Sequence, residues 1–219
     1  MSDNADEAGI VIGGIGPGSR DYLLPAVKRR AAESQLLLGS RRALELFSHL
    51  DKKTVEITAD LARVEKVIAE NYREAGVMVL VSGDPGLYSL ASYLRRNFPE
   101  EELEIIPGVS SMQLGFARAQ MSWHDAHFIS LHGRDEFSRL KRLVEAGQKV
   151  GVFTDGENTP AVIAGRLLEA EVEDRRTTVA ENLSYEEENL VTVRLSQLTG
   201  REFADLNVML IHGEGDADG

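Results

Sequence analysis

The sequence contains no cysteine among its 219 residues. This excludes disulfides, a thiolate nucleophile, cysteine-ligated zinc and iron–sulfur clusters. Long apolar runs are also missing, since no stretch approaches the ~18 residues that a membrane-spanning helix needs. Positive charge is scarce: 24 Lys and Arg stand against 36 Asp and Glu, for a formal net charge of −12. An acidic chain without a basic cluster repels nucleic acid, so we expect neither a nucleic-acid nor a membrane partner.

Both ends of the chain are polar. Residues 1–8 lack the basic start and apolar centre of a signal peptide, and we predict a disordered lead-in there. Residues 214–219 form an acidic tail, which we predict to be a solvated end. Because nothing in the sequence indicates export, we expect the protein to be cytoplasmic.

Apolar runs between the ends predict the secondary structure. The predicted strands are Ile10–Gly14, Gln35–Leu38, Thr54–Ile57, Val77–Val81, Leu103–Ile106, Ala126–Leu131, Val150–Phe153, Thr177–Ala180, Leu190–Arg194 and Asn207–His212. The predicted helices are Asp21–Glu33, Arg41–His49, Leu61–Glu74, Leu87–Asn97, Val109–Ala119, Phe137–Ala146 and Thr159–Glu169. Strands and helices alternate in the first half, which indicates a mostly parallel sheet. The last three strands have little helix between them, which indicates a mixed sheet. We therefore predict an α/β fold with domains at 9–120 and 121–213.

The first strand leads into a glycine-rich turn, Gly14-Ile15-Gly16-Pro17-Gly18. A dinucleotide-binding turn has a third glycine where this chain has Ser19. Pro17 has no N–H to offer a pyrophosphate. Arg41-Arg42 after the second strand would suit the 2′-phosphate of NADP, which leaves an NADP site open. A tight structural turn with glycines at positive φ explains the same residues.

Three further turns follow strands and carry polar groups. Asp84-Pro85 lies between glycines and is predicted to cap a helix and occupy its first position. Ser110-Ser111 opens the next helix, and Thr154-Asp155 ends a later strand. Ligands of open α/β sheets bind at the carboxyl ends of the strands, so these turns together predict one shared ligand cleft.

Familiar catalytic groups are missing from the sequence. There is no G-x-S-x-G elbow and no H-E-x-x-H pair, and the five histidines are dispersed. The densest acidic runs, Glu100–Glu102 and Glu186–Glu188, are interpreted as solvated loop charge. We therefore assign no side-chain base or nucleophile, and we predict no metal site. The chemistry then belongs to substrate and cofactor, and the protein supplies position and electrostatics.

Three motifs in order resemble one known family. Gly14–Gly18, Ser82–Tyr88 and Pro107–Gln113 resemble the tetrapyrrole methyltransferases, the S-adenosylmethionine-dependent family of corrin and siroheme synthesis. Nearly the whole chain shares the likeness.

Motifs in the second half are similar to one branch of that family. Leu131–Asp135, Thr154–Ala164 and Glu181–Ser184 look like the branch that methylates carbon 5 of precorrin-7. No second methyltransferase domain follows, so the chain is similar to the stand-alone form, and the resemblance implies a separate C15-methylating and decarboxylating enzyme.

The resemblance implies a two-domain tetrapyrrole methylase fold with a ligand cleft between the domains, a homodimer, S-adenosylmethionine as methyl donor and a precorrin substrate that brings any cobalt with it. Carried over by matched position, the cofactor-binding residues are Pro17, Gly83, Asp84, Pro85, Leu87, Tyr88, Ser110, Ser111, Thr154, Asn182 and Leu183. Cations beside the motifs are candidates for the substrate carboxylates, and these are Arg20, His132 and Arg134.

Other functions stay open at this point. The same superfamily includes methyltransferases that act on siroheme precursors, on other precorrin positions, on diphthine or on ribosomal RNA, of which RNA suits the negative charge least. An NADP-dependent oxidoreductase and a non-catalytic binding module are alternatives from other classes.

Overall fold

The computed structural model describes residues 9–216. The predicted lead-in at 1–8 and the end of the predicted acidic tail, 217–219, lie outside the described residues. The chain divides into two compact units, one ending at Ser110 and the other beginning at Ser111.

The first unit is built on a parallel sheet. Its strands are β1 (Ile10–Gly14), β2 (Leu36–Gly39), β3 (Lys53–Glu56), β4 (Val77–Val81) and β5 (Leu103–Ile106). Its helices are α1 (Pro25–Glu33), α2 (Arg41–Glu45), α3 (Leu61–Asn71) and α4 (Ala91–Asn97), with short 3₁₀ helices at Arg20–Tyr22 and Glu100–Glu102. The strand order is β3-β2-β4-β1-β5, and each neighbouring pair is parallel. This confirms the predicted parallel sheet.

The central strands of the first unit, β2, β4 and β1, are buried on both faces. Side chains alternate along a strand, so Ile10 and Ile12 of β1 pack into one core cluster and Val11 into the other. Met78 and Val79 of β4 divide in the same way. The continuous apolar runs of β1 and β4 therefore follow from burial on both faces.

Two predicted helices of the first unit begin later than the sequence indicated. The residue before a proline avoids helical backbone, and Leu24 is extended (φ −60°, ψ 141°) before Pro25 at the start of α1. The predicted helix Asp21–Glu33 is thus split into a 3₁₀ turn and α1. The predicted helix at Leu87 is also wrong at its start, because Tyr88 takes a positive φ of 50° and α4 begins only at Ala91.

The second unit is built on a mixed sheet, as predicted. Its strands are β6 (His127–Ser130), β7 (Val150–Phe153), β8 (Arg176–Glu181), β9 (Asn189–Arg194) and β10 (Asn207–Ile211). Its helices are α5 (Ser111–Arg118), α6 (Phe137–Glu145) and α7 (Pro160–Glu169), with a 3₁₀ helix at Leu195–Gln197. The order is β6-β7-β10-β8-β9, in which only β6 and β7 are parallel among the described strands.

Helix α5 belongs by packing to the second unit, whereas the sequence analysis placed these residues in the first domain. Gly115 lets the helix approach β10 closely: a Cβ at Gly115 would lie 3.2 Å from Cγ2 of Val208 and 3.7 Å from Cδ1 of Leu210. The unit division therefore falls before this helix, at the junction of Ser110 and Ser111.

The acidic residues after β10 neutralise buried cations. Lys149 is only 6% exposed, and its Nζ lies 2.9 Å from Oδ1 of Asp216. Arg175 is equally buried, with Nη1 3.4 Å from Oε1 of Glu214. The described part of the predicted solvated tail thus pairs with the interior of the second unit.

Candidate functional site

Three turns of the first unit meet at the carboxyl ends of adjacent strands β4, β1 and β5. Gly14, Gly83 and Gly108 lie in these turns with their backbones in contact: a Cβ on Gly14 would lie 2.6 Å from the carbonyl oxygen of Gly83 and 2.7 Å from the nitrogen of Gly108. A Cβ on Gly108 would overlap the same Gly83 oxygen. Close backbone packing therefore requires glycine at Gly14 and Gly108, the positive φ of 66° favours glycine at Gly83, and the three bring the predicted turns of this unit together.

Asp84 joins two of these turns through its carboxylate. Oδ1 accepts from the backbone N–H of Gly86 at 2.8 Å, and Oδ2 accepts from that of Gly108 at 3.0 Å. The sequence analysis predicted that Asp84-Pro85 would cap and start a helix, which is wrong because the carboxylate is used to fix the turns. Pro85 is buried directly beside it.

The residues after Pro85 form an irregular turn before α4. Leu87 is half-buried, and Tyr88 is held in the left-handed region, where non-glycine residues are strained. Strain of this kind concentrates at functional sites. Ser110, which is 3% exposed, and Ser111, the first residue of α5, follow the Gly108 turn as predicted.

The first glycine turn offers few donors to a phosphate. The N–H of Ile15 donates to Val81 O at 2.9 Å, and the N–H of Gly16 donates to Gly83 O at 3.3 Å. Pro17 has no N–H. Arg41, part of the alternative NADP reading, pairs instead with Glu45 at 3.3 Å on an exposed helix face. These contacts disfavour a dinucleotide site at this turn.

The turn after β7 in the second unit is organised by Asp155. Its Oδ1 accepts from the N–H groups of Glu157 at 2.9 Å and Asn158 at 2.6 Å, and its Oδ2 accepts from the N–H of Gly133 at 3.1 Å. The backbone hydrogen bond from Asn158 is the largest cause that lowers the pKa of Asp155, against the opposing effect of burial. Asp155 is thus a stable carboxylate that ties this turn to the loop after β6.

The loop after β6 carries the predicted substrate cations. His132 and Arg134 are exposed on either side of Gly133. Arg134 lines a cavity of about 380 Å³ within the second unit. Arg20, the third predicted cation, is an exposed residue of the 3₁₀ helix in the first unit.

A second group of predicted residues meets at the edge where β7 and β8 end and β10 begins. Thr154 is buried, and its Oγ1 lies 2.8 Å from Oδ1 of Asn207. Asn182 takes a positive φ of 47°, and its N–H donates to Leu206 O at 2.8 Å. Leu183 is 5% exposed. The structure therefore brings Thr154, Asn182 and Leu183 to one edge of the second sheet.

Glu188 has a role that the sequence analysis missed. The acidic run 186–188 was interpreted as solvated charge, but Glu188 Oε2 accepts from Ser184 N at 2.7 Å, and its Oε1 lies 2.5 Å from Nε of Arg118. Burial raises the pKa of Glu188, but the contacts with Ser184 and Arg118 together lower it by more, so the pKa lies below its ordinary value. Glu188 thus holds the strained turn at Asn182–Ser184. Its partner Arg118 lies 70 residues earlier in the chain, so no local sequence signal marks the pair.

Residues 9–216 contain no group of three or more His, Cys, Asp or Glu side chains placed to hold a metal ion. Across the same residues, every helix is too short or too polar to cross a membrane.

Comparison with known proteins identifies relatives over most of the chain. Residues 9–199 match the tetrapyrrole (corrin/porphyrin) methylases. A probable cobalt-precorrin-7 C(5)-methyltransferase from Methanocaldococcus jannaschii is 31% identical over 211 residues, which cover 94% of this chain and 98% of the relative. A decarboxylating precorrin-6Y C(5,15)-methyltransferase from Sinorhizobium sp is 30% identical over 181 residues, which cover 82% of this chain and 43% of that protein.

A solved structure shares the fold. The cobalamin biosynthesis precorrin-6Y methylase from Archaeoglobus fulgidus superposes with a TM-score of 0.73 at 23% identity, over 94% of this chain and 99% of that one. The family match extends through both units, and the glycine-bearing turns lie within it. This chain therefore belongs to the tetrapyrrole (corrin/porphyrin) methylase family and is a methyltransferase.

Proposed function

We propose that this methyltransferase transfers a methyl group from S-adenosylmethionine to carbon 5 of cobalt-precorrin-7, or of its cobalt-free counterpart, in cobalamin biosynthesis. One observation carries the proposal: the relative from M. jannaschii is named for this reaction and is 31% identical across nearly the full length of both chains. Cobalt enters as part of the substrate.

The turns of the first unit fit a small polar ligand held by backbone groups. The glycines let the backbones of these turns pack directly against one another, and Asp84 fixes their shape. The Ser110 hydroxyl is buried beside them. We assign S-adenosylmethionine to these residues of the first unit: Pro17, Gly83, Asp84, Pro85, Leu87, Tyr88 and Ser110. When bound, it supplies a methyl group on a positively charged sulfur.

Four residues of the second unit belong to the same assignment. Ser111 offers a hydroxyl at the first position of α5, and Thr154 offers a hydroxyl that already contacts Asn207. The positive φ of Asn182 sets the direction of the chain before Leu183. Leu183 provides an apolar surface suited to an adenine ring.

The work of the protein in this reaction is positioning. A meso carbon of a reduced tetrapyrrole is electron-rich, so methyl transfer needs alignment of carbon, methyl and sulfur more than it needs a protein nucleophile. Well-oriented groups can supply on the order of 7–11 kcal/mol of a barrier. The backbone is fixed where Gly83 and Gly108 pack against each other, which suits this task. We assign no side-chain base.

The carboxylates of the macrocycle need cations in a chain of net charge −12. We assign this role to Arg20, His132 and Arg134. Arg134 has the strongest support because it lines the cavity in the second unit, and arginine matches a carboxylate with two parallel N–H groups.

Cellular context belongs to the same proposal. We propose a cytoplasmic homodimer, following the resemblance of the sequence motifs. The Sinorhizobium relative, matched over 43% of its length, is named for methylation at carbons 5 and 15 with decarboxylation. We assign the carbon-15 step to a separate enzyme.

The test is methylation of the named substrate. The protein is incubated with cobalt-precorrin-7 and S-adenosylmethionine that carries a ¹³C-methyl group, and the product is examined by mass spectrometry and NMR. We expect one added methyl group, with its protons correlated to carbon 5 in a long-range proton–carbon NMR spectrum. Addition at another ring position would replace the proposed site, and no addition to any tetrapyrrole would reject the function.

A further inference from the structure

The cavity of the second unit contains an arginine that the sequence motifs did not mark. Its wall is made by the loop after β6, the turn after β7 and the side of α7, and it includes Arg134 and Arg166. The carboxyl ends of neighbouring strands β6 and β7 open toward this cavity, which is the usual place for a ligand in an α/β sheet.

Arg166 is held in one orientation from two sides. Its Cζ lies 3.8 Å above the centre of the Phe137 ring, a cation–π contact. Its Nη1 donates to Oδ1 of Asn158 at 3.3 Å. A guanidinium fixed in this way loses less side-chain entropy when it binds a ligand than a freely rotating one.

Asn158 connects Arg166 to the ends of strands β6 and β7 by hydrogen bonds. Its Nδ2 donates to Leu131 O at 3.1 Å, and its backbone N–H donates to Asp155 at 2.6 Å. The position of Arg166 therefore depends on the carbonyl at the end of β6 and on the carboxylate after β7.

We propose that Arg166 binds a carboxylate of the tetrapyrrole substrate in this cavity, as a second cation beside Arg134. The inference rests on the proposed function for the identity of the ligand. The cavity itself, about 380 Å³, suits an acidic side arm of a macrocycle, and the planar face of the guanidinium stays stacked while its N–H edge meets the carboxylate.

Acidic residues on the same wall limit which ligand binds. Asp155 has its oxygens turned to backbone N–H groups, but Asp135 and Glu157 also line the cavity and are exposed. Their charge opposes an anion. We infer that Arg166 and Glu157 act in opposite directions on carboxylate affinity, a relation that a purely structural role of Arg166 does not predict.

The experiment measures two ligands on the full chain. Uroporphyrin III, an octacarboxylate macrocycle, is titrated by fluorescence quenching, and S-adenosylmethionine is titrated by calorimetry. The variants are Arg166→Gln, Arg166→Lys and Glu157→Gln. The control is Arg142→Gln, which removes the same charge from an exposed site on α6 outside the cavity wall.

We expect Arg166→Gln to weaken uroporphyrin binding about tenfold, equivalent to one charge-assisted hydrogen-bonded pair. Arg166→Lys should recover only part of this, because lysine has neither the fork nor the planar stack. Glu157→Gln should tighten binding about two- to threefold. Arg142→Gln should leave it unchanged, and S-adenosylmethionine affinity should change less than twofold throughout.

The outcomes separate the two proposals. Wild-type protein that binds no uroporphyrin and methylates no precorrin rejects the proposed function. If the wild type and Arg166→Gln bind uroporphyrin with equal affinity, the proposed role of Arg166 is rejected and the proposed function is not affected. If Arg166→Gln weakens binding equally at low and high salt, the loss comes from packing and the proposal is overturned, since a charge contact is screened by salt.

Discussion

Two aspartates of this chain, Asp84 and Asp155, occupy equivalent places in different units. Each follows a buried strand and accepts hydrogen bonds from N–H groups of its own turn. Each also reaches the loop after another strand of its sheet: Asp84 accepts from Gly108 after β5, two strands away, and Asp155 accepts from Gly133 after the neighbouring β6. In both units the carboxylate replaces the backbone hydrogen bonds that an irregular turn cannot make for itself.

The surroundings of the two aspartates differ. A Cβ on Gly108 would overlap its neighbours, whereas a Cβ on Gly133 would have no atom within 4 Å. The Asp84 turns are closed by backbone against backbone, while the Asp155 turn borders a cavity with arginine side chains. A closed backbone suits a ligand of constant shape, and an open wall suits recognition of substrate charge by side chains.

The largest expected difference between the closed and the open turns is in stability, when glycine is replaced by alanine at three positions. Gly108→Ala forces the Gly83 carbonyl to move and should lower the free energy of unfolding by about 3 kcal/mol. Gly133→Ala, at φ +62° in open space, should cost about 1 kcal/mol of left-handed strain. Gly156→Ala, which meets nothing within 4 Å, is the matched control with little change. Urea unfolding measures all three, and equal losses would contradict the distinction.

Removal of each aspartate should affect a different ligand. Asp84→Ala leaves the Gly108 N–H without its acceptor, at about 1–3 kcal/mol, and should weaken S-adenosylmethionine binding about tenfold or more. Asp155→Ala frees Asn158 and should weaken uroporphyrin binding about tenfold, with a smaller effect on S-adenosylmethionine. Calorimetry and fluorescence titration measure the two affinities.

Asp84→Asn and Asp155→Asn are the matched controls, since each keeps one acceptor oxygen and should lose less than its alanine counterpart. If both alanine variants weakened the same ligand equally, the assignment of one ligand to each aspartate would have to be abandoned.

Arg134→Ala tests the open turn through a side chain. Loss of one exposed guanidinium should weaken uroporphyrin binding about three- to tenfold and leave S-adenosylmethionine affinity almost unchanged. Arg142→Ala, which removes an exposed cation of α6 outside the cavity wall, provides the comparison. Equal effects of Arg134→Ala on both ligands would reject its role as a substrate contact.

The sequence predicted the strands better than the turns that join them. The observed bounds of β1, β4, β5 and β7 are those predicted. In β1 and β4 the apolar run reports burial on both faces directly. The three glycine turns also meet as expected, since adjacent parallel strands end at one edge. The prediction at Asp84 was wrong because it used only neighbouring residues. Asp-Pro is typical of a helix start, but here the Asp84 carboxylate accepts a hydrogen bond from the N–H of Gly108, 24 residues away.

Functional contacts between distant residues were not visible in the sequence. No sequence motif marked Arg166, and its stacking on Phe137 depends on how α6 and α7 pack. Glu188 looked like loop charge, and its partner Arg118 lies 70 residues earlier. Motifs identify residues near a ligand, but the residues that hold the motif in shape are set by tertiary packing.

The smallest expected effect concerns acid stability. N–H donation, first from Asn158, lowers the pKa of Asp155 below its ordinary value of 3.8, so the unfolded chain takes up this proton first. Asp155 then contributes stability above about pH 4 that is lost as the pH falls toward the lower folded pKa. Asp155→Asn, which carries no such proton, should show a shallower loss between about pH 5 and 2. Urea midpoints at stepped pH measure the slopes, and parallel slopes would mean that the carboxylate of Asp155 gains nothing from its N–H donors on folding.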